Sequence, residues 1–169
     1  MSESGPRKLG LREDWASAPF LLLTSVGFLV SVYDFWILQG LSLQLSASLV
    51  VGVLLVAFGG YFRITSRRAL MGAGFGLLNS SRLQIVEGHR LVTDGVYRHI
   101  RHPLYLGEIT RNLGFTLLLS SMYGFLIVLT GGLFLHFRIG IEERMLLEEF
   151  GGEYEEYMRR TKRLIPYIY

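Results

Sequence analysis

The sequence contains no cysteine. Disulfide frameworks, thiol nucleophiles, cysteine zinc sites and iron–sulfur clusters are therefore excluded, and a metal site would need His and carboxylates; none is assigned. Charge is also scarce. Only 18% of the 169 residues are Asp, Glu, Lys or Arg, against about 25% in soluble domains. Half of the residues are hydrophobic, which excludes a disordered chain and points to a membrane protein. The length fits one domain, taken as residues 1–169.

What the sequence does have is long apolar runs. A bilayer core of about 30 Å needs roughly 20 helical residues. The runs at 19–38, 43–62, 104–122 and 123–138 predict four transmembrane helices, arranged as two antiparallel hairpins. The first run is too long for the h-region of a signal peptide and is expected to remain in the mature protein. Gly52, Gly59 and Gly60 allow close approach between helices.

The basic residues are unevenly placed. Between Arg63 and Pro103 lie seven arginines against Glu87 and Asp94, while the two hairpin turns carry no Lys or Arg. The positive-inside rule puts this section and both termini in the cytoplasm. The net charge of +3 thus reports topology and contact with membrane lipids. Nothing in the pattern resembles a nucleic-acid module, so no nucleic acid partner is expected.

Chemistry-bearing residues gather at that face. His89, Arg98, His99, Arg101 and His102 crowd the stretch that runs through Pro103 into the third span. Pro103 suits the first turn of a helix, which places Arg101 and His102 at a helix N-terminus. Unsatisfied N–H groups there favour an anionic ligand group, and Arg101 could grip a carboxylate.

A second cluster follows the fourth span. Arg138 and Glu142 are spaced i, i+4, and Glu143 shares a stripe with Ile139, Leu147 and Phe150. A carboxylate on an apolar stripe requires a cationic or donor partner. Within the third span, Glu108 and Arg111 form an i, i+3 pair that should face the bundle or a cavity. Beyond Gly152, the spacing of Tyr154, Tyr157 and Met158 followed by basic residues reads as a tail on the membrane face. Gly72, Gly74 and Gly76 do not fit the dinucleotide fingerprint and are read as permitting a bend.

Three blocks now stand in order: His89-x-Leu91-Val92-Thr93-x-Gly95-Val96-Tyr97; Arg101-His102-Pro103-x-Tyr105-x-Gly107; and Glu142-Glu143 with Phe150-Gly151-x-x-Tyr154-x-x-Tyr157. Together they resemble the isoprenylcysteine carboxyl methyltransferase and phospholipid methyltransferase superfamily. The likeness covers residues 87 to 169. It implies an all-α integral membrane enzyme that takes S-adenosylmethionine from the cytosol and methylates a lipid-borne or hydrophobic acceptor. The cofactor elements would be residues 87–107 and 138–169.

The likeness places the cofactor on His89, Tyr97, Arg101, His102, Tyr105, Glu142 and Glu143. Val92, Pro103 and Gly107, inside the same motifs, are counted with them. Arg138, Glu143 and Glu108 are the candidates for the chemistry itself. The ending Arg163-Leu164-Ile165-Pro166-Tyr167 is also similar to the tail of NADPH-dependent membrane sterol reductases, which makes reduction the alternative. A non-enzymatic membrane adaptor is a third reading, and it leaves Glu143 and the Arg101-His102-Pro103 junction unexplained.

Overall fold

The computed structural model describes residues 14–39, 46–73 and 90–165. The fold is all-helical. Helix α1, Ser17–Tyr33, runs on through a π-helical turn, Asp34–Leu38. Helix α2 is Ala47–Gly72, α3 is Pro103–Leu118, α4 is Met122–Phe150 and α5 is Gly152–Arg160. A short 3-10 turn, Gly95–Arg98, precedes α3.

α1 with its π turn, α2 and α4 are each long and apolar enough to cross a membrane, and this is an integral membrane protein. Leu21, Leu22 and Leu29 on α1, Leu54 on α2 and Leu133 on α4 point outward, as side chains facing lipid should. α3 is shorter at 16 residues. The expected second span ends at residue 62, but α2 continues to Gly72. Arginine is a good helix former, so Arg63, Arg67 and Arg68 end the apolar run without ending the helix. The turn expected at 39–42 lies, beyond Gln39, outside the described residues. Gly74 and Gly76 do too.

The bundle is two tight antiparallel pairs, α1 with α4 and α2 with α3, joined through α3 and α4. Small residues decide both pairings. A Cβ at Gly52 would lie 2.8 Å from the Gly114 carbonyl, and one at Gly59 would lie 2.6 Å from the Gly107 carbonyl. The seven-residue spacing recurs on both helices, so the two backbones meet at two points along one seam. Gly60 lies off that seam, with nothing within 4 Å of a Cβ built there. Successive helical residues are about 100° apart, so only one of the adjacent glycines faces α3.

Polar contacts fix the two ends. At one end, buried Asp34 accepts a hydrogen bond from Ser121, which itself caps α4 by accepting from the Gly124 N–H at 3.0 Å. At the other end Asp14, just before α1, pairs with Arg138 of α4 at 3.3 Å. The start of α1, the start of α3 and the α5 segment therefore share one end of the bundle.

Candidate functional site

The site is assembled at the Arg138 end by three pieces of chain. The first is the stretch from Val92 to the start of α3. Gly95, at φ +61°, makes the Asp94-Gly95 turn that the sequence predicts, and Pro103 occupies the first turn of α3 with His102 at its N-cap. The second is the second half of α4, which carries Arg138, Glu142 and Glu143. The third is α5 with the tail behind it. Gly151, at φ +51°, breaks the chain between α4 and α5 in a conformation that glycine tolerates best.

The tail docks by backbone pairing. Arg101 N–H donates to the Lys162 carbonyl at 2.8 Å, His102 N–H to Arg163 at 3.0 Å, and Lys162 N–H to His99 at 3.2 Å. Tyr154 and Tyr157 of α5 are buried, and the Tyr157 hydroxyl donates to the Tyr97 carbonyl at 2.6 Å. The apolar face of α5, read from sequence as a membrane-surface face, is turned to protein. Burial pushes the phenols of Tyr97, Tyr154 and Tyr157 up, so they act as neutral groups.

Glu143 is the centre of the assembly. One of its oxygens accepts from Arg101 Nε at 2.8 Å, and the other accepts from Arg163 Nε and Nη2, both at 2.7 Å. His102 Nε2 stands 3.4 Å from the first oxygen. The partner that the apolar stripe demands is thus two arginines and a histidine. Arg101 also donates from Nη1 to the carbonyls of Met158 and Thr161, so its guanidinium ties α4 to the tail.

Glu142 lies on the neighbouring face. His102 Nδ1 is 3.6 Å from its Oε2, and the Tyr105 hydroxyl lies against the same carboxylate. Arg138 also has a partner that the sequence spacing does not point to. Its Nη2 reaches Asp14, and its guanidinium carbon sits 5.6 Å from the centre of the Tyr105 ring. Burial outweighs Arg138 and lifts the Asp14 carboxyl above its ordinary value.

Among the described residues, the buried polar atoms here with no hydrogen-bond partner include His102 Nε2, Glu142 Oε2, Asp14 Oδ1 and the Tyr154 hydroxyl. Buried polar groups are normally satisfied, so these unsatisfied atoms are the ones to which a polar guest would be complementary. A cavity of about 420 Å³ is lined by Thr93, Asp94, Arg98, Tyr157, Arg160 and Thr161.

The remaining sequence candidates fall in several places. His89 lies outside the described residues, and Val92 is half-buried in the stretch leading to the 3-10 turn. Gly107 sits in the α2/α3 seam, where a Cβ would lie 2.7 Å from the Gly59 carbonyl. Glu108 forms a second cluster one turn further along α3. It pairs with Arg63, accepts from Arg111 Nη2 at 2.9 Å and is reached by Asn112 Nδ2 at 3.4 Å. Asp14 and Arg163 are not among the sequence candidates; for Arg163 the one available signal is the need of Glu143 for a cation.

His102 gives the site a pH dependence. Burial alone would lower its pKa, but the Glu142 and Glu143 carboxylates override burial and raise it above 6.5. A raised histidine stabilises the fold fully below its unfolded value, and that contribution is lost as pH climbs through the folded value. Melting temperature in detergent should therefore fall as buffer passes from mildly acidic to alkaline. A His102→Gln variant should show a flatter profile, and equal slopes would contradict the assignment.

The comparisons with known proteins bear on the same residues. The sequence model of the phospholipid methyltransferase family matches residues 47–153, from the start of α2 into α5. The chain belongs to this family. Human protein-S-isoprenylcysteine O-methyltransferase is 31% identical over 157 residues, covering 88% of this chain and 54% of the human protein. The Saccharomyces cerevisiae protein of the same name is 37% identical over 130 residues, covering 75% of this chain and 52% of the yeast one. A probable isoprenylcysteine O-methyltransferase from Oryza sativa is 35% identical, at 70% and 61% coverage. A solved structure of the eukaryotic intramembrane Ras methyltransferase, isoprenylcysteine carboxyl methyltransferase, superposes with a TM-score of 0.64 at 28% identity. It covers 88% of this chain and 51% of that one. The chain spans little more than half the length of these relatives.

Proposed function

We propose that this family member is an S-adenosylmethionine-dependent methyltransferase that methylates a carboxylate on a lipid-borne acceptor at the cytoplasmic membrane face; the relatives' names support the O-methyl transfer to an isoprenylcysteine carboxyl group. The observation that carries the reading is the contact of Arg101 with Glu143 at 2.8 Å across 42 positions of sequence. It brings the Arg-His-Pro block onto the Glu-Glu block and leaves orphaned polar atoms beside the junction.

The donor set fits the cofactor. Glu142 Oε2 needs a donor, which a ribose hydroxyl or an α-ammonium group provides, and the Tyr105 ring beside it suits a cation. His102 Nε2 and Tyr97 complete the contacts, with Val92 and Pro103 as walls and His89 as a further contact. Arg101 and Glu143 serve this site by holding the tail against the α3 N-terminus. Bound there, S-adenosylmethionine supplies an electrophilic methyl group on positively charged sulfur. A carboxylate acceptor is already ionised near pH 7 and requires no base. The work of the chain would be positioning: residues of α3 and α4 would hold the methyl donor and the acceptor, with Arg138 held by Asp14 beside Tyr105.

Our reading of orientation and span number draws on the shared ends of the bundle. α3 rises about 24 Å over its 16 residues, and it links the Asp34–Ser121 end to the Arg101–Glu143 end. We take it as a fourth crossing, shorter than the three long helices. The arginine-rich end, with both termini, faces the cytoplasm.

Calorimetric titration of the detergent-purified chain tests the reading. S-adenosylhomocysteine should bind and NADPH should not; the reverse result would sink it. Glu142→Gln should weaken S-adenosylhomocysteine binding about tenfold, or ~1.4 kcal/mol, with its melting temperature retained. Unchanged affinity would remove Glu142 from the site.

A further inference from the structure

Contacts along the α2/α3 seam fix the depth of the cluster around Glu108. The apolar run of α2 ends at Phe62, and a Cβ at Gly107 of α3 would lie 2.9 Å from the backbone nitrogen of the next residue, Arg63. Gly107 is therefore level with the edge of the hydrocarbon layer. Arg111 starts deeper, because its backbone nitrogen is level with Gly59, one turn below Arg63. Side chains on a helix lean toward its N-terminus, and that of Arg111 reaches back one turn to Glu108 at 2.9 Å. It snorkels. Arg63 meets the same carboxylate, so both guanidiniums finish where the hydrocarbon layer gives way to headgroups.

Two positive charges share the one carboxylate of Glu108. Asn112, buried, adds only polar bonds: its Oδ1 accepts from Arg111 Nη2 at 3.1 Å and its Nδ2 donates to Glu108 at 3.4 Å. Among the described residues the cluster thus keeps a surplus of one positive charge, which is costly at this depth unless an anion meets it. The cluster is not sealed. The Arg63 and Arg111 side chains are 22% and 36% exposed. Phe115, one turn deeper than Arg111 on the same stripe of α3, is exposed as well. A surplus cation with an exposed apolar ring directly beneath it matches a phospholipid, whose charged headgroup sits above its acyl chains.

We propose that Arg63 and Arg111 bind the phosphate of an anionic phospholipid of the cytoplasmic leaflet, with its acyl chains along Phe115. The lipid is a structural ligand that ties α2 to α3, separate from the methyl acceptor. Glu108 and Asn112 hold the two guanidiniums in place, which makes Glu108 a positioning residue for the lipid site. Guanidinium donors match phosphate oxygens in shape as well as in charge. An anionic headgroup cancels the surplus charge, whereas a zwitterionic one brings an ammonium group of its own. The cytoplasmic leaflet is the one that carries anionic lipids. The inference rests on the orientation proposed above and not on the methyltransferase reading.

The test titrates the full chain in neutral detergent with phosphatidylglycerol, phosphatidylcholine or inorganic phosphate, read by native mass spectrometry and by melting temperature. Phosphatidylglycerol should bind at least about tenfold more tightly than phosphatidylcholine and raise the melting temperature. Inorganic phosphate at the same concentration should do neither. Arg63→Gln and Arg111→Gln should each weaken phosphatidylglycerol binding by at least about tenfold and remove the rise in melting temperature, with S-adenosylhomocysteine affinity unchanged. Each variant leaves Glu108 with one arginine, so the lipid-free fold should persist. Arg111→Lys, which keeps the charge, should recover part of the loss. Arg68→Gln, which removes an exposed charge from the same helix, should bind phosphatidylglycerol as the wild type does. Equal binding of the two lipids, a full response to inorganic phosphate, or equal losses in Arg68→Gln and Arg111→Gln would each overturn the proposal. A chain that binds phosphatidylglycerol but not S-adenosylhomocysteine would instead strike the methyltransferase reading and leave the lipid site standing.

Discussion

Replacing Glu143 by alanine should lower the stability of the chain by about 3–5 kcal/mol, the usual cost of stripping one partner from a buried ion pair. It should also abolish S-adenosylhomocysteine binding. The reason is the number of groups that depend on this one carboxylate. Arg101, Arg163 and His102 converge on it from the α3 N-terminus and the tail, and Glu143 is only 3% exposed. Removing it leaves two arginines and a histidine close together with no neutralising charge between them. Arg101 would keep its bonds to the Met158 and Thr161 carbonyls, but Arg163 would lose its anchor, and the pairing of Lys162 and Arg163 with residues 99–102 would loosen. Thermal unfolding and ligand titration of the same preparation check both parts. A variant that melts like the wild type would show that α5 and the tail are held by other forces.

Much of this arrangement was legible in local sequence, where the physics is local. The apolar runs mark α1, α2, α3 and α4 because helix length and membrane thickness are coupled. Pro103 marks the start of α3, and Asp94-Gly95 marks the turn before it. Glu143 announces a buried cation partner through its place on the stripe of Ile139 and Leu147. Which cation it meets could not be read, because Arg163 arrives only after Gly151 turns the chain back, and nothing near Arg163 records that reversal. The same holds for Arg138. Its spacing points to Glu142, yet Asp14 reaches it from the opposite end of the chain, and no short-range pattern encodes a contact between α1 and α4. α5 shows why a periodic stripe is ambiguous: Tyr154 and Tyr157 define an apolar face equally well for lipid or for protein, and only the docked tail decides.

The seam between α2 and α3 yields the sharpest contrast between neighbouring positions. Gly59→Leu should prevent stable assembly, whereas Gly60→Leu should be nearly silent. A Cβ at Gly59 would lie 2.5 Å from the Arg111 backbone nitrogen and 2.6 Å from the Gly107 carbonyl. Both are backbone atoms, so no side-chain rotation relieves the clash and the helices must separate. Overpacking typically costs about 1–3 kcal/mol when neighbouring side chains can adjust, and a rigid backbone contact should exceed that range. The damage should extend beyond packing, because Arg63 lies one turn from Gly59 and Glu108 directly follows Gly107. Separating the helices therefore splits the Arg63–Glu108 pair as well. At Gly60 an added Cβ meets nothing within 4 Å, and leucine there gains helix propensity while facing outward. Size-exclusion profiles and melting curves in detergent should place the two variants at opposite extremes. If Gly59→Leu behaves like Gly60→Leu, α2 and α3 do not cross in backbone contact, and the Arg63–Glu108 pair loses the scaffold that holds it.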